Sequence, residues 1–476
     1  MHSNKKQKTK MIVISCAAIL VVACICISLI GIGGAGISMV WPFGSQVTED
    51  VRPSPGIETP LPPEGAAGEN TPQPTLEGDD VPPDLAEEMD QIQAEVIAIR
   101  GLDPTGAVQR TLISSEELQE IVATDFFAEY TDQDARQDVV ILSALGLLPQ
   151  EFNLKQFYND LYSEQIAGFY DDDIKAMYVV QGTGFGGAEK ITYAHEYTHV
   201  LQDQVYDLSE GLGYNDDACE ADSERCAAVQ ALIEGDASMT ELLWFQSYAT
   251  ETDYEDLVQF YENFESPVLD QAPPYMAADL YFPYEKGQIF VQLLYNEGGF
   301  AAVDAVYQNL PVSTEQILHP ERYPDDVPQI VSLPELGQTL GEDWTLVDQN
   351  VMGEWYTFLI LNKAYEEDHR LSETAAKTAA EGWGGDAYAF YLNETTEELV
   401  FVLDMVWDST AEAREFAGAF EAYADMRWSA GSEEVQGLAT WEGGGSTVLF
   451  YHEGDRTVWI MAPTPAVVDH VFSALQ

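Results

Sequence analysis

Basic side chains are scarce in this chain. Its 476 residues hold 20 lysines and arginines against 82 acids, a formal net charge of −62. Lys5, Lys6, Lys8 and Lys10 crowd the N-terminus, so only 16 serve the rest. Phosphate contacts need a basic face, which excludes nucleic-acid binding. Binding of the folded part to anionic lipid is excluded for the same reason. Acidity of this degree keeps a chain soluble and self-repelling. Cysteine is scarce too. Cys16, Cys24 and Cys26 lie in one apolar run, and only Cys219 and Cys226 lie outside it. Their spacing fits no CxxC zinc motif. The chain has one long apolar run, no second one and no internal repeat. What remains suits folding: 46% of residues are hydrophobic and 11% aromatic. The length allows two or three domains with a sizeable core.

The apolar run is 11–40, MIVISCAAIL through GIGGAGISMV, with no charge in it. About 20 such residues span a bilayer. Lysines precede the run and acids follow it. The positive-inside rule therefore puts 1–10 in the cytoplasm and the rest outside. Trp41 stands where an interfacial aromatic belongs. A cleaved signal peptide has a shorter apolar core. Val21-Val22-Ala23-Cys24 resembles a lipoprotein processing box, yet the apolar run continues past it through Ile25, Ile27 and Leu29. The expectation is one uncleaved transmembrane anchor in the cell membrane, with the folded part extracytoplasmic. An oxidising compartment permits disulfides. Cys219 and Cys226 are expected to pair; the alternative is two reduced thiols at a helix start.

Residues 41–83 are rich in proline, glycine and acid, with few bulky side chains. Such a segment cannot bury enough to fold and reads as an extended stalk. From about Leu85 the pattern turns globular. A Ser cap and acidic first turn open the helix SSEELQEIVATDFFAEY. RQDVVILSALGLLP and NLKQFYNDLYSEQIAGFY are further predicted helices. IKAMYVVQ reads as a strand after a DDD turn. AEKITYAHEYTHVLQDQV and the Ala-rich ERCAAVQALIEGDASMTELLWFQSYA are predicted helices. Near 380 the character changes. DAYAFYLNE, EELVFVLDMVW, STVLFYHEG and DRTVWIMAP read as strands, with two helices among them, and Glu453-Gly454-Asp455 is a natural hairpin turn.

The chemical signal is His195-Glu196-Tyr197-Thr198-His199. Spacing i, i+4 on a helix puts both imidazoles on one face, where they can reach one metal ion. Glu196 projects beside them and can poise a water. A catalytic zinc needs a third protein ligand and an open position. Gln202 and Val205 stand where the Gly and the third His of an HExxHxxGxxH pattern would be, which removes that class. The best third ligand is Glu234, a carboxylate in the apolar stretch Ala231-Leu232-Ile233-Glu234-Gly235-Asp236-Ala237. Gly235 inside a helix costs about 1 kcal/mol relative to Ala. A close approach to the motif helix would explain that cost. Asp236 is a candidate to orient a ligand histidine. Asp203, one turn after His199, is a weaker third ligand and a fair orienting group. Asp171-Asp172-Asp173 reads as a solvated turn rather than a calcium site. His369, His452 and His470 lack ligand spacing.

HExxH followed by a helical glutamate resembles the gluzincin metallopeptidases, the thermolysin-like clan. AHEYTHVLQDQ with the later ALIEGDA is similar to a group of membrane-anchored bacterial zincin-like proteins. The motif-level likeness covers about 175–240. A broader one takes in Tyr284-Glu285-Lys286-Gly287, the loop PVSTEQILHPERY and GWGGD at 382–386. The resemblance implies Zn2+ held by His195, His199 and Glu234, with Glu196 as general base. It implies hydrolysis of peptide bonds in a peptide or protein substrate. The chain departs from the family after Glu234, where Ser238 stands in place of an Asp four residues on.

A developing oxyanion needs a donor besides the metal. His319 is the first candidate, with Tyr323 and Tyr284 behind it. The strand at 176–181 could add an extended peptide if it forms a sheet edge. The expected fold is α+β: a mainly helical zincin-like domain at 84–380 with a small edge sheet and a ββαββα unit at 381–476, behind one transmembrane helix. The alternative function is a non-enzymatic surface module that keeps the fold for binding. Glu196 speaks against it, because a structural metal needs no base. An intramembrane protease is excluded by the charged flanks of the motif helix.

Overall fold

A computed structural model of the chain describes residues 81–476, apart from 128–129, 173, 181–183, 394 and 429–436. The expected anchor at 11–40 and stalk at 41–83 lie outside the described residues, except for the last of the stalk. The order begins α1 (Pro83–Arg100), β1 (Gln109–Ile113), α2 (Ser115–Ile121), α3 (Asp132–Ala144), α4 (Leu154–Gln165), β2 (Gly168–Asp171) and β3 (Ala176–Val180). The motif helix α5 (Gly187–Tyr206) follows, then α6 (Asp216–Ala221), α7 (Ser223–Tyr248), α8 (Glu251–Asn263), α9 (Pro274–Gly298), α10 (Phe300–Val306), α11 (Thr314–Leu318) and α12 (Gly337–Leu340). The chain ends with β4 (Trp344–Asn350), α13 (Gly353–Asn362), α14 (Glu373–Ala380), β5 (Trp383–Asn393), β6 (Leu399–Trp407), α15 (Thr410–Arg427), β7 (Leu438–Gly443), β8 (Ser446–Glu453), β9 (Arg456–Ala462) and α16 (Pro465–Ala474).

Local chemistry explains the two helices that matter most. At the start of α5 the Glu189 carboxylate accepts the Gly186 N–H at 3.0 Å. Gly187 fits there because a Cβ would meet the Asp253 carbonyl oxygen at 1.9 Å. Asp207 closes the helix in the left-handed region, with φ 57°. In α7, Asp222 caps the first turn by accepting the Arg225 N–H. The helix is then buried on nearly every side, which suits a sequence without a polar stripe. Cys219 and Cys226 are bonded to each other and tie α6 to α7.

Gly235 answers a different neighbour from the one expected. A Cβ there would stand 2.2 Å from the Gly287 carbonyl group, and one on Gly287 would stand 1.9 Å from the Ala231 oxygen. The close approach is therefore between α7 and α9, not between α7 and the motif helix.

The small sheet has the order β1-β3-β2, with β1 parallel and β2 antiparallel to β3. The strand expected to offer an edge is its centre, and both its sides are taken; β2 is an outer strand instead. The predicted helix through Tyr170 stops at Gln165, and Gly168–Asp171 turns into that strand.

The large sheet corrects the expected fold class. It has six antiparallel strands in the order β4-β5-β6-β9-β8-β7 rather than four. One of the two additional strands, β4, comes from before residue 381. Among the described residues no helix is long and apolar enough to cross a membrane. The architecture is α+β with this six-stranded sheet and many helices. Side chains alternate across the sheet: Phe401, Leu403, Trp459 and Met461 face α15 and the helical part. Val400, Val402, Val458 and Ile460 face α16. The first of these cores is continuous, running from Val139 in α3 through α7 and α9 to Met461 in β9. A second core packs α1 against α5 and the end of α7 through Met89, Tyr197 and Trp244.

Candidate metal centre

His195 and His199 lie one turn apart on α5, with ring centroids 4.7 Å apart and planes nearly perpendicular. Glu234 reaches them from α7. Its Oε2 stands 3.1 Å from His195 Nε2 and 3.4 Å from His199 Nε2. The other nitrogen of each ring is held from behind. His195 Nδ1 lies 3.0 Å from Glu241 Oε2, and His199 Nδ1 lies 2.8 Å from the Gln202 amide oxygen. Both acceptors call for an N–H at Nδ1, so both Nε2 lone pairs point at Glu234. Three acceptors do not face one another at such distances without a cation among them, protons or a metal ion.

The dimensions match a metal. With zinc bonds of about 2.0–2.2 Å, two ligands of a tetrahedral ion stand about 3.3 Å apart. One ligand atom each of His195, Glu196 and His199 also falls within 4.8 Å of the others. His199 Nε2, Glu234 Oε1 and both Glu196 oxygens are buried without a hydrogen bond. Each unsatisfied group of this kind costs about 1–3 kcal/mol. The residues therefore fit a divalent cation. His195, His199 and Glu234 would hold it, and Glu196 would stand alongside.

The electrostatics agree with that division. Burial pushes the Glu196 carboxyl up to about 7 against the pull of His199 and His195. Burial also acts on Glu234, but the two imidazoles prevail and hold it at about 2. Burial alone would depress His195; Glu241, then Glu234, reverse this and hold it well above the ordinary histidine value.

A buried network supports the ligands. The Gln202 amide group lies 3.0 Å from both the Ile233 carbonyl and Asp236 Oδ2. Asp236 accepts from Tyr307 at 2.9 Å and from Arg100 Nε at 2.7 Å. Arg100 is the last residue of α1, so the first described helix ends beneath the site. Asp236 touches neither histidine directly; it contacts Gln202, whose oxygen lies against His199 Nδ1. Asp203 does not reach the histidines. It accepts from Tyr170 and Lys175, each at 2.7 Å, and fastens the β2–β3 hairpin to α5.

Glu241 and Gln202 were not anticipated from sequence. Glu241 lies two turns after Glu234 on the same helix, and that i, i+7 spacing is the signal that could have found it. It holds His195 Nδ1 from behind at 3.0 Å.

The expected oxyanion donors separate. His319 caps α11 and bonds Glu354 at 2.9 Å. The Tyr323 hydroxyl donates to the Asn309 carbonyl, and its ring packs on Phe290. Neither hydrogen-bonds a residue of the centre. Tyr284 in α9 does stand there, its ring centroid 6.2 Å from that of His195. A second acidic grouping, Glu315, Asp326 and Asp408, is already occupied by a cation of the chain: Arg322 Nη1 pairs with all three.

Residues 342–472 match the family described as Domain of unknown function (DUF8575). The matched segment begins just before β4 and takes in the whole six-stranded sheet; the metal centre lies outside it. No curated protein and no solved structure matches the chain.

Proposed function

We propose that this chain is a zinc-dependent peptidase. The observation that carries the reading is the convergence of His195 Nε2, His199 Nε2 and Glu234 Oε2, with the buried Glu196 carboxylate beside them. A zinc ion held there supplies Lewis-acid polarisation of a peptide carbonyl and makes a water acidic enough to ionise near neutral pH. Glu196 takes the proton of the attacking water and delivers it to the leaving amine. Glu241 and Gln202 fix both imidazoles in the tautomer that presents Nε2. Tyr284, its ring beside that of His195, is the candidate to donate to the developing oxyanion. The outer strand β2 runs against α5 near Glu196 and offers an edge for an extended peptide. The bonded Cys219 and Cys226 suit a catalytic part that works in an oxidising compartment.

One observation favours a second reading, a non-enzymatic unit with a structural metal. His195 is 3% exposed, and Glu196, His199 and Glu234 are 0% exposed. Closed sites are usual for structural zinc. The two readings part in one experiment. The full chain and its Glu196→Gln variant are assayed for zinc content and for cleavage of an unfolded protein. The peptidase reading expects one zinc in each and cleavage by the parent alone. Zinc in both without cleavage by either supports the structural reading. No zinc in either refutes both.

A further inference from the structure

A cavity of about 560 Å³ opens between α3, α4, α7, α9, α13 and the β4–β5 edge. That lies within the size range of small-ligand pockets. Its wall carries Asp138, Glu220, Asp279 and Asp348, and no lysine, arginine or histidine. Three of these acids are held only by neutral donors. Asp279 accepts from Trp355 Nε1 at 2.9 Å and Tyr356 at 2.6 Å. Asp138 accepts from Tyr130 at 2.6 Å, and Asp348 from Tyr388 at 3.0 Å. All three are half-buried. Burial lifts Asp138 to about 6 and raises Asp279 and Asp348 as well, as expected where no cation of the chain offsets them. The rest of the wall is aromatic, including Tyr158 and Tyr275. Tyr275 is 3% exposed.

The cavity lies beside the metal centre without taking in any of its ligands. Tyr284 lines it and packs near His195. Gln230 lines it one helical turn before Glu234 on the same face of α7. A hard divalent ion wants six to eight oxygen ligands, whereas these carboxylates are already committed to phenol and indole donors amid aromatic rings. That lining suits a larger organic cation, which gains from ring faces as well as charge.

We propose that this cavity receives the lysine or arginine side chain of a peptide whose scissile bond lies at His195, His199 and Glu234. The inference rests on the peptidase reading for its substrate and on the cavity alone for its charge preference.

The test uses the zinc-loaded full chain carrying Glu196→Gln, so that binding is read without turnover. Fluorescent alanine-based peptides carry one arginine, moved position by position, beside twins with neutral, similarly shaped citrulline. At one position arginine is expected to bind about tenfold to a hundredfold more tightly, the range of a hydrogen-bonded charge. Asp279→Asn and Asp138→Asn, which keep an acceptor oxygen for their donors, are each expected to remove most of that preference. If one variant fails to fold, the other and the arginine–citrulline comparison in the unaltered cavity still decide. Equal binding of arginine and citrulline at every position overturns the proposal. Cleavage by the parent without charge preference overturns the pocket and leaves the peptidase standing. Charge-dependent binding with no cleavage by the parent leaves the cavity's cation recognition standing and overturns the peptidase reading.

Discussion

Glu224 makes folding stability depend on pH in a calculable direction. It is the second residue of α7 and 4% exposed. One carboxylate oxygen accepts from Thr314 twice, at 2.6 Å from the backbone N–H and 2.7 Å from the hydroxyl. The other lies so close to Gly353 that a Cβ there would meet it at 2.0 Å. Its charged neighbours are buried Asp386 and half-buried Asp222, both acids. Burial raises its pKa to about 8, with the Thr314 bonds opposing. The folded state therefore keeps a proton that the unfolded chain releases from about pH 4.5 upward. Its contribution is fully present below that pH and is lost as pH rises through about 8. At 1.36 kcal/mol per pKa unit the whole window amounts to about 5 kcal/mol, and about 3 kcal/mol has gone by pH 7. Glu224→Gln keeps the acceptor for Thr314 and cannot ionise. Urea unfolding of parent and variant is compared from about pH 4.5 to 8 in about 0.5 M salt, which screens the general repulsion of an acidic chain. The two should match at the acid end, with the variant more stable at the alkaline end by about 3–5 kcal/mol. Parallel loss of stability in both across the window would refute the argument.

The metal-supporting carboxylate and the helix crossing give two further expectations. Glu241→Gln should weaken zinc binding about 10–100-fold, because it loosens the His195 ring; competition with a chromogenic chelator measures it, and unchanged affinity would remove Glu241 from the site. Gly235→Ala should destabilise by about 1–3 kcal/mol, since forced separation of α7 from Gly287 outweighs the helix preference of alanine. Gly418→Ala, on the exposed face of α15 with nothing within 4 Å of the new methyl, should instead stabilise by up to about 1 kcal/mol. Thermal unfolding compares the pair, and a shift of the same sign in both would contradict the crossing argument.

What the sequence made legible follows from how local each signal was. His195, Glu196 and His199 sit within one turn and a bit of a single helix, so their spacing alone put them on one face. Glu234 was visible as a carboxylate in an apolar stretch. Asp236 was visible as an acid beside Glu234, but its contact with Gln202 was not, because Gln202 looked like a failed glycine rather than a link to His199. Gly235 announced a close approach without saying to which helix, since that depends on packing between segments far apart in the chain. The strand β4, WTLVDQN, lies at the sheet edge with its side chains largely open to solvent, so it shows no apolar alternation to read. His319 carried no spacing signal, and a loop histidine satisfied by Glu354 cannot be told from a catalytic one without coordinates.

The unbroken core from α3 to β9 has a thermodynamic consequence. Two halves that share their apolar interior melt as one body, so the sheet and the metal ligands draw on a common unfolding equilibrium. A zinc ion held between α5 and α7, as proposed, would then protect the sheet, which it does not touch, by mass action on the unfolded chain. By the same linkage, a partner that grips the sheet would suppress metal loss through unfolding.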